Sequence, residues 1–229
     1  MSGVPRFTAS ERLWHWAFAL GYLALLASGL PLTFEGLRGL IRDYTPVIGV
    51  RLHLAFAALW LAAPLAVVLL GDRRALARAW RDLVTFAPGD GAWLRSLPRW
   101  LAGGARERAR IDRAVGRFNA GQKLNAIFTA ATAGLLLLTG LALVPLHGSP
   151  LVAWCGTPAL VHAVAAAHRW LSLVVVVPIA AHVFMAAAFP ATRPSLSGML
   201  TGDVDREYAA RHHPRWRPAA GARAGDDAA

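Results

Sequence analysis

The chain has 229 residues, 56% of them hydrophobic and only 16% charged, and a mean hydropathy of +0.43. A soluble domain carries about a quarter charged residues, so a water-soluble globule and a disordered chain are both excluded. The net charge of +11 would suggest nucleic acid on a soluble protein, but here the basic residues lie between apolar blocks, which is the pattern of membrane topology and not of a nucleic-acid surface.

Four stretches are long enough to cross a bilayer, which takes roughly 20 apolar residues. They run from about 13 to 34, 46 to 70, 120 to 146 and 158 to 189. The first has too long an apolar run, and no small-residue cleavage pattern after Pro31, for a signal peptide, so it reads as a retained helix. The fourth exceeds what a span needs; its first turns are expected to stand out of the hydrocarbon or to form a separate turn. Twenty basic residues precede the first span, lie between the second and third, open the third or follow the fourth. Only Arg38, Arg42, Arg51 and Arg169 fall on the other side. Basic loops stay in the cytoplasm. The prediction is therefore an all-α integral membrane protein, a four-transmembrane-helix bundle with cytoplasmic termini, in a bacterial inner membrane. Residues 1–190 form the membrane domain, 71–118 a cytoplasmic loop and 191–229 a cytoplasmic tail. Within the loop, Ala75–Val84 reads either as an amphipathic helix on anionic lipid with Trp80 as anchor or as a solvated linker. Pro88 to Gly91 and Gly103–Gly104 divide it.

A single cysteine, Cys155, excludes an internal disulfide, a cysteine-ligated iron–sulfur cluster, a C-x-x-C-H haem attachment and an all-cysteine zinc site. Any redox centre must use other ligands. Of the 8 histidines, four lie inside spans, where ionisable side chains are costly and mark function. His147 and His162 sit at the outer edge, and His212 and His213 in the tail. Depth decides which can meet. His15 is near the cytoplasmic start of the first span. His53 is about 7 residues, roughly 10 Å, inside the outer end of the second. His168 lies in the outer half of the fourth span and His182 in its inner half. The depth-matched pairs are His15 with His182 and His53 with His168. The separation of 14 positions from His168 to His182 puts both on one helix face, about 21 Å apart. That suits two stacked haems, each between two imidazoles, with no open position on iron, an arrangement for electron transfer. Structural histidines and a proton relay are the competing readings. Small residues such as Gly21, Ser28, Gly29, Ala180 and Ala187 leave room for a flat macrocycle or for close helix packing. Arg12, Lys123, Arg51 and Arg169 lie where propionates would be, and pair with them or snorkel to the interface.

Several segments resemble the cytochrome b (gamma) subunits of respiratory formate dehydrogenases: RFTASERLWHWAFALGYLALLASGLPL at 6–32, GRFNAGQKLN at 116–125, HRWLSLVVVVPIAAHVFMA at 168–186 and GMLTGDVDREYAARHHPRW at 198–216. They occur in order over nearly the whole chain. The resemblance implies two haems b, the cytoplasmic-side one on His15 and His182 and the outer one on His53 and His168. It also implies a quinone (menaquinone or ubiquinone) beside the inner haem, lined by Asn119, Gly121 and Gln122. From chemistry alone, Asn119 and Gln122 either bond a quinone carbonyl or cap the third helix. The implied partners are an iron–sulfur electron-transfer subunit and a catalytic dehydrogenase subunit outside the membrane. Electrons then run inward to quinone in a respiratory chain, and the chain has no formate chemistry of its own. One charge crossing the full potential is worth about 2.3 kcal/mol per 100 mV. The 71–118 loop is longer than the family pattern, Pro178 should kink the fourth span, and Arg169 follows a histidine directly. Anchors of NiFe hydrogenases and other molybdoenzymes share the layout; a non-haem anchor or transporter is the remaining alternative.

Overall fold

A computed structural model of the protein describes residues 3–41, 43–146 and 157–217. A short strand, β1 (Gly3–Pro5), leads into α1 (Ala9–Thr33). That helix opens on a capping box: Thr8 accepts from the Glu11 amide, and the Glu11 carboxylate accepts from the Thr8 amide at 2.8 Å. Two of the amides that every helix start leaves bare are thereby satisfied. A single turn, α2 (Glu35–Arg38), follows, and α3 (Pro46–Leu70) begins with Thr45 as N-cap and proline at its first position.

The 71–118 connection is built of helices: α4 (Arg73–Val84), α5 (Asp90–Arg95), α6 (Leu97–Ala102) and α7 (Ala105–Ile111). Asp72 caps α4 through the Ala75 amide at 2.9 Å. Gly89, at φ 109, makes the left-handed turn into α5 that a side chain would disfavour. The third span is α8 (Ala120–Leu146). The fourth consists of two helices, α9 (Pro158–Val174) and α10 (Val176–Ala187), meeting at the fully buried Val175. Of the two expectations for its start, a separate first turn is not seen among the described residues, since α9 is continuous from Pro158. The break lies three residues ahead of Pro178, whose missing N–H leaves the Val174 carbonyl without its helical partner. The tail forms α11 (Leu196–Leu200), β2 (Asp203–Asp205) and α12 (Arg206–His212).

α1 lies along α3 and α8 along α9, and the two pairs face each other. Their shared core is a single layer of Tyr22, Trp60, Ala133 and Val175, with Phe18, Leu25, Leu136 and Ile179 packed on it. Leu23, Leu65, Leu138 and Val177 point outward and are well exposed. Four helices carrying such surfaces meet the length and polarity of membrane spans.

At one end of the bundle the short helices and the tail form a cap. Trp93, Trp100, Val115 and Ala120 make its core, against Met185 and Phe189 from the end of the fourth span. β1 and β2 pair antiparallel, Val4 opposite Val204, so both ends of the described chain lie at the same end of the bundle. Gly202, at φ 98, turns the chain into β2, and its carbonyl accepts from the amides of Arg6 and Phe7. Arg6 and Arg117 exchange guanidinium-to-carbonyl bonds, and Arg117 pairs with Glu11 at 2.8 Å. Burial pulls the Arg6 guanidinium down to about 10, against the opposing pull of Tyr208; it remains charged at neutral pH.

Candidate functional site

Four histidines meet in two layers. His15 on α1 faces His182 on α10, with ring centroids 6.2 Å apart and planes at 63°. His53 on α3 faces His168 on α9, at 6.3 Å and 85°. The depth-matched pairs read from the sequence are the pairs that the fold brings together. Each layer joins one helix of the α1–α3 pair to one helix of the fourth span. Tyr22 and Trp60 follow His15 and His53 by seven residues, and Val175 lies seven from both His168 and His182. The apolar core layer therefore stands midway, roughly 10 Å along the helix axis from each histidine layer.

The His53–His168 layer is braced. The Ser28 hydroxyl lies 2.9 Å from His53 Nδ1 and the Thr139 hydroxyl 2.8 Å from His168 Nδ1. A Cβ added at Gly29 would come 3.3 Å from His53 Cε1, and one at Gly140 the same distance from His168 Cε1.

Residues 6–202 match the family of prokaryotic cytochrome b561. The chain belongs to that family. It is similar to the nitrate-inducible formate dehydrogenase cytochrome b556(Fdn) subunits of Escherichia coli (strain K12), Escherichia coli O157:H7 and Shigella flexneri. Each is 26% identical over 208 residues, covering 90% of this chain and 86% of theirs.

A cytochrome b carries haem b, and the histidine layers of this cytochrome fit the group. A metal–nitrogen bond of about 2 Å plus about 1 Å from nitrogen to ring centre, counted on both sides, separates two axial imidazole centres by about 6 Å. Both layers have that spacing. Neither pair has its rings in direct hydrogen-bond contact, so a third body between the rings suits them better than a mutual bond. Among the described residues no cluster of three or more histidine, cysteine, aspartate or glutamate side chains gathers to hold a different metal.

The other sequence-predicted residues fall as follows. Asn119 and Gln122 cap α8 reciprocally: the Asn119 amide donates to Gln122 Oε1 at 3.0 Å, and the Gln122 amide to Asn119 Oδ1 at 2.9 Å. Both side-chain oxygens are used in this way, while the side-chain NH₂ groups lie outside the exchange. Gly121 packs close to the Trp93 ring; an added Cβ would meet it at 3.2 Å. Lys123 neither snorkels nor waits for a propionate. Its ammonium is buried 2.8 Å from Asp90, because α5 folds back beneath the start of α8. Arg12 donates to the Thr201 carbonyl at 3.0 Å, which ties α1 to the tail. Arg51, Arg169 and His162 are exposed, and His147 lies outside the described residues.

Three side chains converge on Asp112, a buried carboxylate that the sequence did not single out. It accepts from Trp93 Nε1 at 2.8 Å, from Trp100 Nε1 at 3.0 Å and from His212 Nδ1 at 2.8 Å. His213 sits beside it, bonded through Nδ1 to the Gly116 carbonyl at 2.9 Å. Burial, and after it the charge of Arg6, holds this imidazole well below the usual histidine range.

Proposed function

We propose that this chain is the di-haem b subunit of a membrane formate dehydrogenase. It carries electrons from an extracytoplasmic iron–sulfur subunit and its catalytic dehydrogenase partner across a bacterial inner membrane to quinone. His15 and His182 would hold one haem, His53 and His168 the other. Each haem would supply a six-coordinate one-electron carrier near one membrane face. The cap and both ends of the described chain would be cytoplasmic, on the side that carries most of the basic residues. The membrane domain would span 1–190 and the tail 191–229.

The observation that carries this reading is the pair of imidazole layers, each at the separation that one metal between two rings requires. The layers lie on either side of an apolar midplane. No catalytic group for formate is needed in the chain. A quinone would bind at the cap end of the bundle, where the Asn119 and Gln122 NH₂ groups are free of the helix cap and Gly121 lies low against Trp93. The Ala120 segment packs in the same core as Met185, three residues beyond His182.

The test is a reduced-minus-oxidised spectrum and haem count of the purified complex. Two haems b per chain are expected. His53→Ala should lose one of them and His15→Ala the other. A colourless protein, or histidine variants that keep both haems, would overturn the reading. A quinone analogue should perturb the inner haem alone and lose that effect in Gln122→Leu. Mass identification of co-purifying chains should find the iron–sulfur and dehydrogenase partners.

A further inference from the structure

We propose that Ser28 and Thr139 are positioning residues for the outer histidine pair, an inference that rests on the haem ligation proposed above. Their hydroxyls hold His53 and His168 in the tautomer that keeps its proton on Nδ1 and presents a bare Nε2 to iron.

The assignment follows from counting protons. A hydroxyl has one proton to donate. The Ser28 hydroxyl lies 3.2 Å from the Leu25 carbonyl of its own helix as well as 2.9 Å from His53 Nδ1. The Thr139 hydroxyl lies 2.8 Å from the Leu135 carbonyl and 2.8 Å from His168 Nδ1. A carbonyl has no proton to give, so both contacts of each hydroxyl are hydrogen bonds only when the hydroxyl proton goes back to the helix, as serine and threonine protons commonly do. Each hydroxyl oxygen is then left as an acceptor, and the imidazole must be the donor. With acceptors alone on offer to Nδ1, the proton sits there. A neutral imidazole has only one such proton, so Nε2 carries the lone pair that a metal takes.

The residue after each hydroxyl makes the contact possible. Gly29 follows Ser28 and Gly140 follows Thr139. A methyl at either would crowd the histidine Cε1 at 3.3 Å. The same hydroxyl–glycine order thus occurs on α1 and on α8, and each braces the histidine of the helix packed beside it. Among the described residues neither His15 nor His182 has a hydroxyl partner of this kind. A hydrogen bond from the far ring nitrogen makes a ligand more basic. The braces therefore favour the oxidised iron of the outer haem and hold its potential down, with no counterpart on the inner one.

The experiment uses the full-length, haem-loaded protein, with a redox titration and low-temperature EPR of its low-spin signals. Ser28→Ala and Thr139→Val should each raise one of the two midpoint potentials and shift one of the two EPR signals, the haem that His53→Ala removes. The other haem should keep its wild-type values. Ser28→Thr and Thr139→Ser, which retain the hydroxyl, should restore both readouts. Gly29→Ala gives a second route that leaves the hydroxyl in place: it should shift the same EPR signal by pushing the His53 ring. Two haems with both potentials and both signals unchanged in the Ser28→Ala, Thr139→Val double variant would overturn the brace and leave the ligation standing. Equal shifts of both haems would also overturn it, because general loosening explains those. A wild-type protein without haem would overturn the ligation itself.

Discussion

Replacing Asp112 by alanine removes the acceptor that three side chains share. Trp100 is 1% exposed and Trp93 6%, so neither indole N–H can turn to water. Each buried donor left without an acceptor costs about 1–3 kcal/mol, which makes about 2–6 kcal/mol for the pair. His212 is partly open to solvent and adds little. Asparagine keeps one oxygen for the two indoles and gives up only the charge assistance, a loss of about 1–2 kcal/mol. The cap holds many arginines between Arg95 and Arg113, so trypsin reports its opening directly. The expected order of resistance is wild type, then Asp112→Asn slightly below it, then Asp112→Ala well below, measured as cleavage rate against temperature. Equal resistance of alanine and asparagine variants would refute the hydrogen-bond accounting.

Lys123→Met should cost about 3–5 kcal/mol by leaving the Asp90 charge buried without its partner, and Lys123→Met with Asp90→Asn should recover most of that; the thermal midpoint of both variants checks it. Among the described residues the Tyr22 hydroxyl has no hydrogen-bond partner, and such an orphan carries a penalty of about 1–3 kcal/mol. Tyr22→Phe should therefore raise the midpoint or leave it unmoved, and a large fall would contradict the packing. His213 is buried in its neutral form, with its ionisation held well below the usual value of about 6.5. Below that pH the unfolded chain takes up a proton that the folded cap refuses. Its contribution to stability is full above pH 6.5 and falls with acidification, by at most about 1.4 kcal/mol per pH unit. His213→Gln should flatten the acid limb of a stability–pH curve.

The spans were readable because hydrocarbon demands long apolar runs and nothing else in the chain supplies them. The meeting of His15 with His182 and of His53 with His168 was readable for a related reason: helices that cross the same layer fix depth by residue count. The kink expected from Pro178 is the break at Val175: the bond is missing at the proline, and the carbonyl that loses its partner lies four residues earlier, at Val174. Lys123 was misassigned because Asp90 lies 33 positions away and comes beneath α8 only when the short helices fold. The Asp112 junction joins residues up to 100 positions apart, a distance over which neither periodicity nor spacing gives a signal. Ser28 and Gly29 stood out only as small residues. Their relation to His53 depends on how α1 lies against α3.

The pairing of β1 with β2 makes the order of synthesis matter. Val4 leaves the ribosome before any of the four spans, yet its strand partner Val204 follows all of them. The early strand must wait unpaired while every helix inserts, and the buried Arg6 beside it waits without the Gly202 carbonyl that receives its amide. A product truncated anywhere before the tail therefore displays an open strand edge and an uncovered arginine. Closure of the clasp distinguishes a finished chain from an abandoned one, and proteolytic surveillance has a local difference to act on.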